Sequence, residues 1–96
     1  MMAKKKVRRV DQIAASPEQR RKEFYERVDR GDLDLRQTVI EYRYLLGKTQ
    51  PEFARFAKIP LKTLRDFEQD KGNPTLKTIE KMLRGSGLEI TARKKI

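Results

Sequence analysis

Between Leu61 and Gln69 the sequence LKTLRDFEQ sets Leu64 and Phe67 at helical spacing and leaves Leu61, Lys62, Arg65, Asp66 and Gln69 directed outward or sideways. That outer face carries an ammonium, a guanidinium, a carboxylate, an amide and an apolar tip, so it can donate and accept hydrogen bonds and pair charges. It suits recognition better than reaction. The chain has no histidine and no cysteine, which removes the usual general base, the usual metal ligand, thiolate metal sites and disulfides together. The carboxylates show no pairing beyond what solvated helices produce. An enzyme is therefore the least expected class, and neither a metal nor any other cofactor is expected.

A length of 96 residues suits one small domain, and with 36% hydrophobic residues its core must be modest, so a partner subunit would add stability a monomer lacks. The apolar runs are too short to span a bilayer or to form a signal-peptide core, which makes a cytoplasmic, membrane-free protein the expectation. The net charge of +10 points to a polyanionic partner, and its distribution matters more than its size. Residues 1 to 9 carry +5, residues 93 to 95 carry +3, the stretch from Lys48 to Lys71 carries +2, and the rest sums to zero. Basic ends also serve solubility and disorder, so charge alone leaves both readings open.

Residues 1–15 show no sustained period and a block of like charge, and read as a flexible basic arm. Residues 16–31 read as an amphipathic helix. Ser16 caps it, Pro17 fits its first position, Gln19 completes a capping box, Phe24 and Val28 share a face, and Gly31 ends it. Asp34 and Gln37 repeat the box, and Leu35, Val39, Tyr42 and Leu46 follow on one side until Gly47. A second strip, Ile40 and Tyr44, either receives Phe24 and Val28 or stays partly exposed. Thr49 caps a third helix reaching Ala57, with Pro51 and Glu52 in its first turn and Phe53, Ala54 and Ala57 on one face. A fourth helix spans about 61 to 69. DKGNP breaks the chain, and Thr75 opens a fifth helix whose Leu76, Ile79, Met82 and Leu83 look inward, ended by Gly85-Ser86-Gly87. LEITARKKI then alternates with period two, which fits a short strand that would pair with the same strand of a second subunit through Leu88 and Ile90, or a frayed tail.

Residues 49 to 69, TQPEFARFAKIPLKTLRDFEQ, meet the demands of a helix-turn-helix: two helices, a tight turn, small Ala54 where they cross, Ile59 plugging the core from the turn, and Leu64 with Phe67 seating the second helix. Over about residues 35 to 90 the chain resembles helix-turn-helix regulators of the xenobiotic-response-element type, which include lambdoid phage repressors and many antitoxins. The resemblance rests on Arg43 and Gly47 before TQPEFA, on TLRDFEQ, and on NPTLKTIEKMLRGSGLEI. It implies an all-α, five-helix, lambda-repressor-like DNA-binding domain over residues 34–92, here with an added N-terminal helix, a short C-terminal strand and a basic tail at 93–96.

Carried over by position, the resemblance makes Leu61, Lys62, Arg65 and Asp66 the base-reading candidates. Lys62 and Arg65 can donate to guanine O6 and N7, Asp66 can accept from cytosine N4, and Leu61 can pack on a thymine methyl; Asp66 can instead hold Lys62 or Arg65 in place. Thr49, Gln50, Thr63, Lys71, Asn73 and Thr75 fall where similar proteins clamp phosphates. The family's structural ion pair maps onto Arg43 and Glu68. Two positions depart from the family pattern. Lys58 stands where many relatives have glycine, so the turn must hold a lysine at positive φ or bend differently, and Pro60-Leu61 replaces the usual Ser or Thr cap. Phe56, beside the core face, is expected half-buried against an adjacent helix or open to a protein partner.

The resemblance thus implies a sequence-specific repressor that binds double-stranded DNA at a palindromic operator as a homodimer. Its size and build look like antitoxins of the HigA and HipB kind, which would add a protein toxin as a partner. A free-standing phage-like repressor would read almost identically, and a protein-interaction adaptor of the transcriptional bridging-factor kind is the rival from another class.

Overall fold

The computed structural model describes residues 16 to 91; the expected basic arm over 1–15 and tail over 93–96, with most of the net charge, lie outside the described residues. The described residues form five helices and no strand: α1 (Pro17–Asp29), α2 (Leu35–Leu45), α3 (Gln50–Ala57), α4 (Leu61–Glu68) and α5 (Leu76–Met82). None is long and apolar enough to cross a membrane. The chain divides into two compact units, one ending at Lys48 and one starting at Thr49.

Side chains close every helix start but that of α4, and the main chain closes most ends. Ser16 and Gln19, Asp34 and Gln37, and Thr49 and Glu52 each form a reciprocal capping box, which satisfies amides that the first turn leaves unpaired. Thr75 caps α5 by accepting from the Thr78 amide. After each of α1 to α4 a left-handed residue turns the chain: Gly31, Gly47, Lys58 and Asp70. In each case the next amide reaches back five residues, Asp32 to the Arg27 carbonyl, Lys48 to Arg43, Ile59 to Ala54 and Lys71 to Asp66. That pattern is the Schellman closure, which normally selects glycine at the left-handed position.

In the first unit α1 packs on α2. The Phe24 ring, fully buried, stacks over Tyr42 with centroids 6.1 Å apart and meets Tyr25 edge-on at 5.0 Å. The ring that Phe24 stacks on is thus Tyr42, and Ile40 and Tyr44 are half-buried, in keeping with the partly exposed alternative. Beside the aromatic stack, Arg27 Nη1 lies 3.5 Å from Glu41 Oε1 with both side chains almost wholly covered, 7% and 5% exposed. Arg27 Nη1 has no hydrogen-bond partner, so its desolvation is offset by Coulomb attraction alone.

In the second unit α3 packs against α4 and α5. Phe53, Ala54 and Ala57 from α3, Ile59 from the turn, Leu64 and Phe67 from α4, and Ile79 and Met82 from α5, with Leu83 just after it, are buried. Two leucines expected on inner faces are instead exposed, Leu35 at 37% and Leu76 at 64%. Each opens its helix, and because side chains tilt toward the helix N-terminus, the first residue overhangs the turn that packs. The short strand expected from Leu88 onward is not formed among the described residues. Period-two alternation needs a neighbouring strand to become a ladder, and the described residues offer none; the Leu88 amide donates to Ser86 Oγ at 3.0 Å instead.

Burial raises the Tyr42 hydroxyl above the ordinary tyrosine range, with Tyr25 pushing the same way and Arg21 opposing. A raised folded value favours the neutral phenol, so its stabilisation is complete below the unfolded pKa near 10 and is lost as pH rises through the folded value. Unfolding free energy measured in urea should therefore decline above pH 10 more steeply in the native protein than in Tyr42→Phe. At neutral pH, Arg27→Met should cost roughly 3 kcal/mol by removing the cation that faces the buried Glu41 carboxylate, and adding Glu41→Leu should recover part of it.

Candidate nucleic-acid interface

Three residues, Lys58, Ile59 and Pro60, separate α3 from α4. Lys58 takes φ 60° and ψ 48°, so of the two ways the turn could form it uses a lysine in the left-handed region. Ile59 is buried in the turn as expected. Pro60, extended at φ −64° and ψ 143°, starts α4 without a side-chain cap, its ring supplying only a preset φ.

The burial of Leu64 and Phe67 decides which way α4 faces. Lys62 and Arg65 are exposed while Leu61, Thr63 and Asp66 are partly covered. Lys62 Nζ meets Asp66 Oδ2 at 2.8 Å, one turn along the helix. Arg65 makes no side-chain interaction among the described residues, so of the two cations on this face one is engaged and one is free.

The four remaining loop and helix-start candidates at this end of the unit converge. Thr63, Lys71, Asn73 and Thr75, together with Asp66 and Thr78, line an open cleft of about 310 Å³ beyond the end of α4. The Thr75 hydroxyl accepts from the Thr78 amide at 3.1 Å and lies 3.0 Å from the Thr78 hydroxyl. Gly72, at φ 75°, brings the loop close to α4: a Cβ there would stand 3.6 Å from Asp66 Cβ. Hydroxyls, an amide and an ammonium in this lining are donors from which an oxyanion can accept, while the Asp66 carboxylate in the same lining opposes one.

The other two phosphate candidates lie at the start of α3. The Thr49 hydroxyl accepts from the Glu52 amide, and the Glu52 carboxylate accepts from the Thr49 amide at 2.9 Å. Gln50 Nε2 donates to Glu68 Oε1 at 2.9 Å, tying the start of α3 to the end of α4. Spacing gave no hint of this bond, because its partners stand 18 residues apart and neither lies on an apolar stripe. Arg43 belongs to the first unit and Glu68 to the second. The Arg43 guanidinium donates to the Lys48 carbonyl at 3.1 Å and lies over the Tyr44 ring, 4.7 Å from its centroid. Leu88 and Ile90, assigned to dimerisation, are half-buried. Phe56 is half-buried too, with its ring 5.8 Å from Phe53 on its own helix.

Among the described residues no group of three carboxylates could hold a metal ion. The arrangement offers directional hydrogen bonding and charge. Comparison with protein-family models, curated proteins and solved structures finds no match to this chain.

Because Lys58 holds a conformation that costs a non-glycine residue about 1–2 kcal/mol, Lys58→Gly should stabilise the protein. The gain should be roughly 0.5–1 kcal/mol after the extra unfolded-state freedom of glycine is subtracted. Lys58→Val, β-branched, should destabilise. Urea midpoints of the three proteins provide the check.

Proposed function

We propose that the chain is a sequence-specific DNA-binding repressor in which α3 and α4 form a helix-turn-helix and α4 lies in the major groove. The observation that carries this reading is the division of α4: Leu64 and Phe67 are buried beneath it while Lys62 and Arg65 stand clear above. A helix seated in this way can put its outer side chains against base edges, where bidentate lysine and arginine contacts to guanine discriminate best. Donors beside that face from which an oxyanion can accept add support, since phosphate contacts fix register before bases are read. The resemblance of residues 35 to 90 to xenobiotic-response-element-type regulators supports the same reading and the finer fold, a lambda-repressor-like domain.

On this reading two copies bind successive major grooves of a palindromic operator, about 34 Å or one helical turn apart, and the protein acts in the cytoplasm without catalysing a reaction. Among regulators of this kind the build matches antitoxins of the HigA and HipB type, so a protein toxin is the further partner proposed.

Selection of bound sequences from random duplex DNA should return a two-fold symmetric motif. Lys62→Ala and Arg65→Ala should each weaken binding to that motif by about 5- to 150-fold, the worth of one good base contact, with a much smaller loss on random duplex. Unchanged preference in both variants would show that α4 does not read the sequence.

A further inference from the structure

Resting on the DNA-binding reading above, we propose that Asp66 is a positioning residue. By holding the Lys62 ammonium it makes the α4 face selective for a G·C pair instead of merely attracted to phosphate. The pair is close, 2.8 Å, and unequal: the Lys62 side chain is 84% exposed and that of Asp66 34%. Asp66 is fixed from beneath. A Cβ added at Gly72 would stand 3.6 Å from its Cβ, so the loop runs close by, its carbonyl accepts the Lys71 amide in the closure of α4, and the residue lines the cleft. The carboxylate is the anchor and the lysine is the arm.

Helix stability does not account for this pair. Lys62 lies in the first turn of α4 and Asp66 in the last, so each charge faces the like-signed end of the helix dipole, and lysine before acid is the weaker order for an i,i+4 pair. Recognition chemistry accounts for it better. An unrestrained lysine has a flexible stem and satisfies itself on whichever phosphate is near, which adds affinity for every sequence equally. Held by Asp66, the ammonium spends one of its three donors and presents the other two in a fixed direction, which suits O6 and N7 of one guanine. The second carboxylate oxygen is left to accept from a cytosine N4, and its negative charge repels phosphates from the same spot. Selectivity then comes from disfavouring wrong contacts as much as from making the right one. Arg65, unpaired among the described residues, reads its own base without such an anchor.

The test compares the full-length native protein with Asp66→Asn, Lys62→Gln and the double variant, on the selected duplex, on that duplex with the assigned G·C pair changed to A·T, and on random duplex, over a range of salt. The native protein should select an invariant G·C pair in each half-site. Asp66→Asn should bind random duplex several-fold tighter, with a salt dependence steeper by about one released counterion, and should lose roughly tenfold of its G·C preference. Lys62→Gln should lose the same preference, and adding it to Asp66→Asn should remove little more, as expected for residues acting as a unit. Asp66→Ser gives the same readout should asparagine perturb the fold, which thermal unfolding monitors. If Asp66→Asn tightens binding to all three duplexes equally and keeps the native preference, the positioning role is overturned while the DNA-binding reading stands. If the native protein selects no sequence, both are overturned.

Discussion

The chain passes from α3 to α4 in three residues, and the reversal depends on Lys58 holding a left-handed backbone. With that conformation, the Ile59 amide reaches the Ala54 carbonyl and the Ile59 side chain turns into the core. Pro60 then sets the φ from which α4 starts. Had the turn opened by even one residue, Leu64 and Phe67 would meet α3 at a different rotation, since each residue advances a helix by about 100°. The direction in which Lys62, Arg65 and Asp66 project is therefore a property of the turn before it is a property of α4. The Gln50 to Glu68 hydrogen bond closes the same arrangement at its far end.

What the sequence made legible follows from how local each signal is. Capping boxes involve residues three apart, so Ser16 with Gln19 and Asp34 with Gln37 could be found by spacing alone, and both form. Leu64 and Phe67 stood out because polar neighbours flank them on an amphipathic helix. Leu35 and Leu76 obey the same periodicity yet lie in solvent, because periodicity reports the face of a helix and not how far along it the packing extends. Leu88 and Ile90 show the equivalent gap for strands: alternation gives the two sides of a strand and says nothing of a partner.

Charged and long-range features were the least legible. Arg27 sits in PEQRRKEFYERVD, where eight of thirteen residues are charged, and a helix of that composition reads as solvated. Its burial against Glu41 comes from another helix, which no local pattern encodes. The aromatic pairing was half visible: Phe24 was marked as apolar, but choosing between Tyr42 and the Ile40-Tyr44 strip required the rotation of α1 on α2. At the proposed interface, the outer face of α4 was readable from spacing. The cleft that gathers Thr63, Lys71, Asn73 and Thr75 needed the left-handed residues Asp70 and Gly72 to fold the loop back.

The main-chain closures after α1 to α4 have an evolutionary consequence. Each loop holds its path through amide-to-carbonyl bonds, which are blind to side-chain identity apart from the cost of left-handed geometry. Along α4, the residues that seat the helix, Leu64 and Phe67, are buried, while Lys62 and Arg65 are exposed. Lys62, Arg65 and Asp66 can thus be exchanged together while Leu64 and Phe67 stay, so the outward face can drift from one target to another on a scaffold that does not have to be relearned.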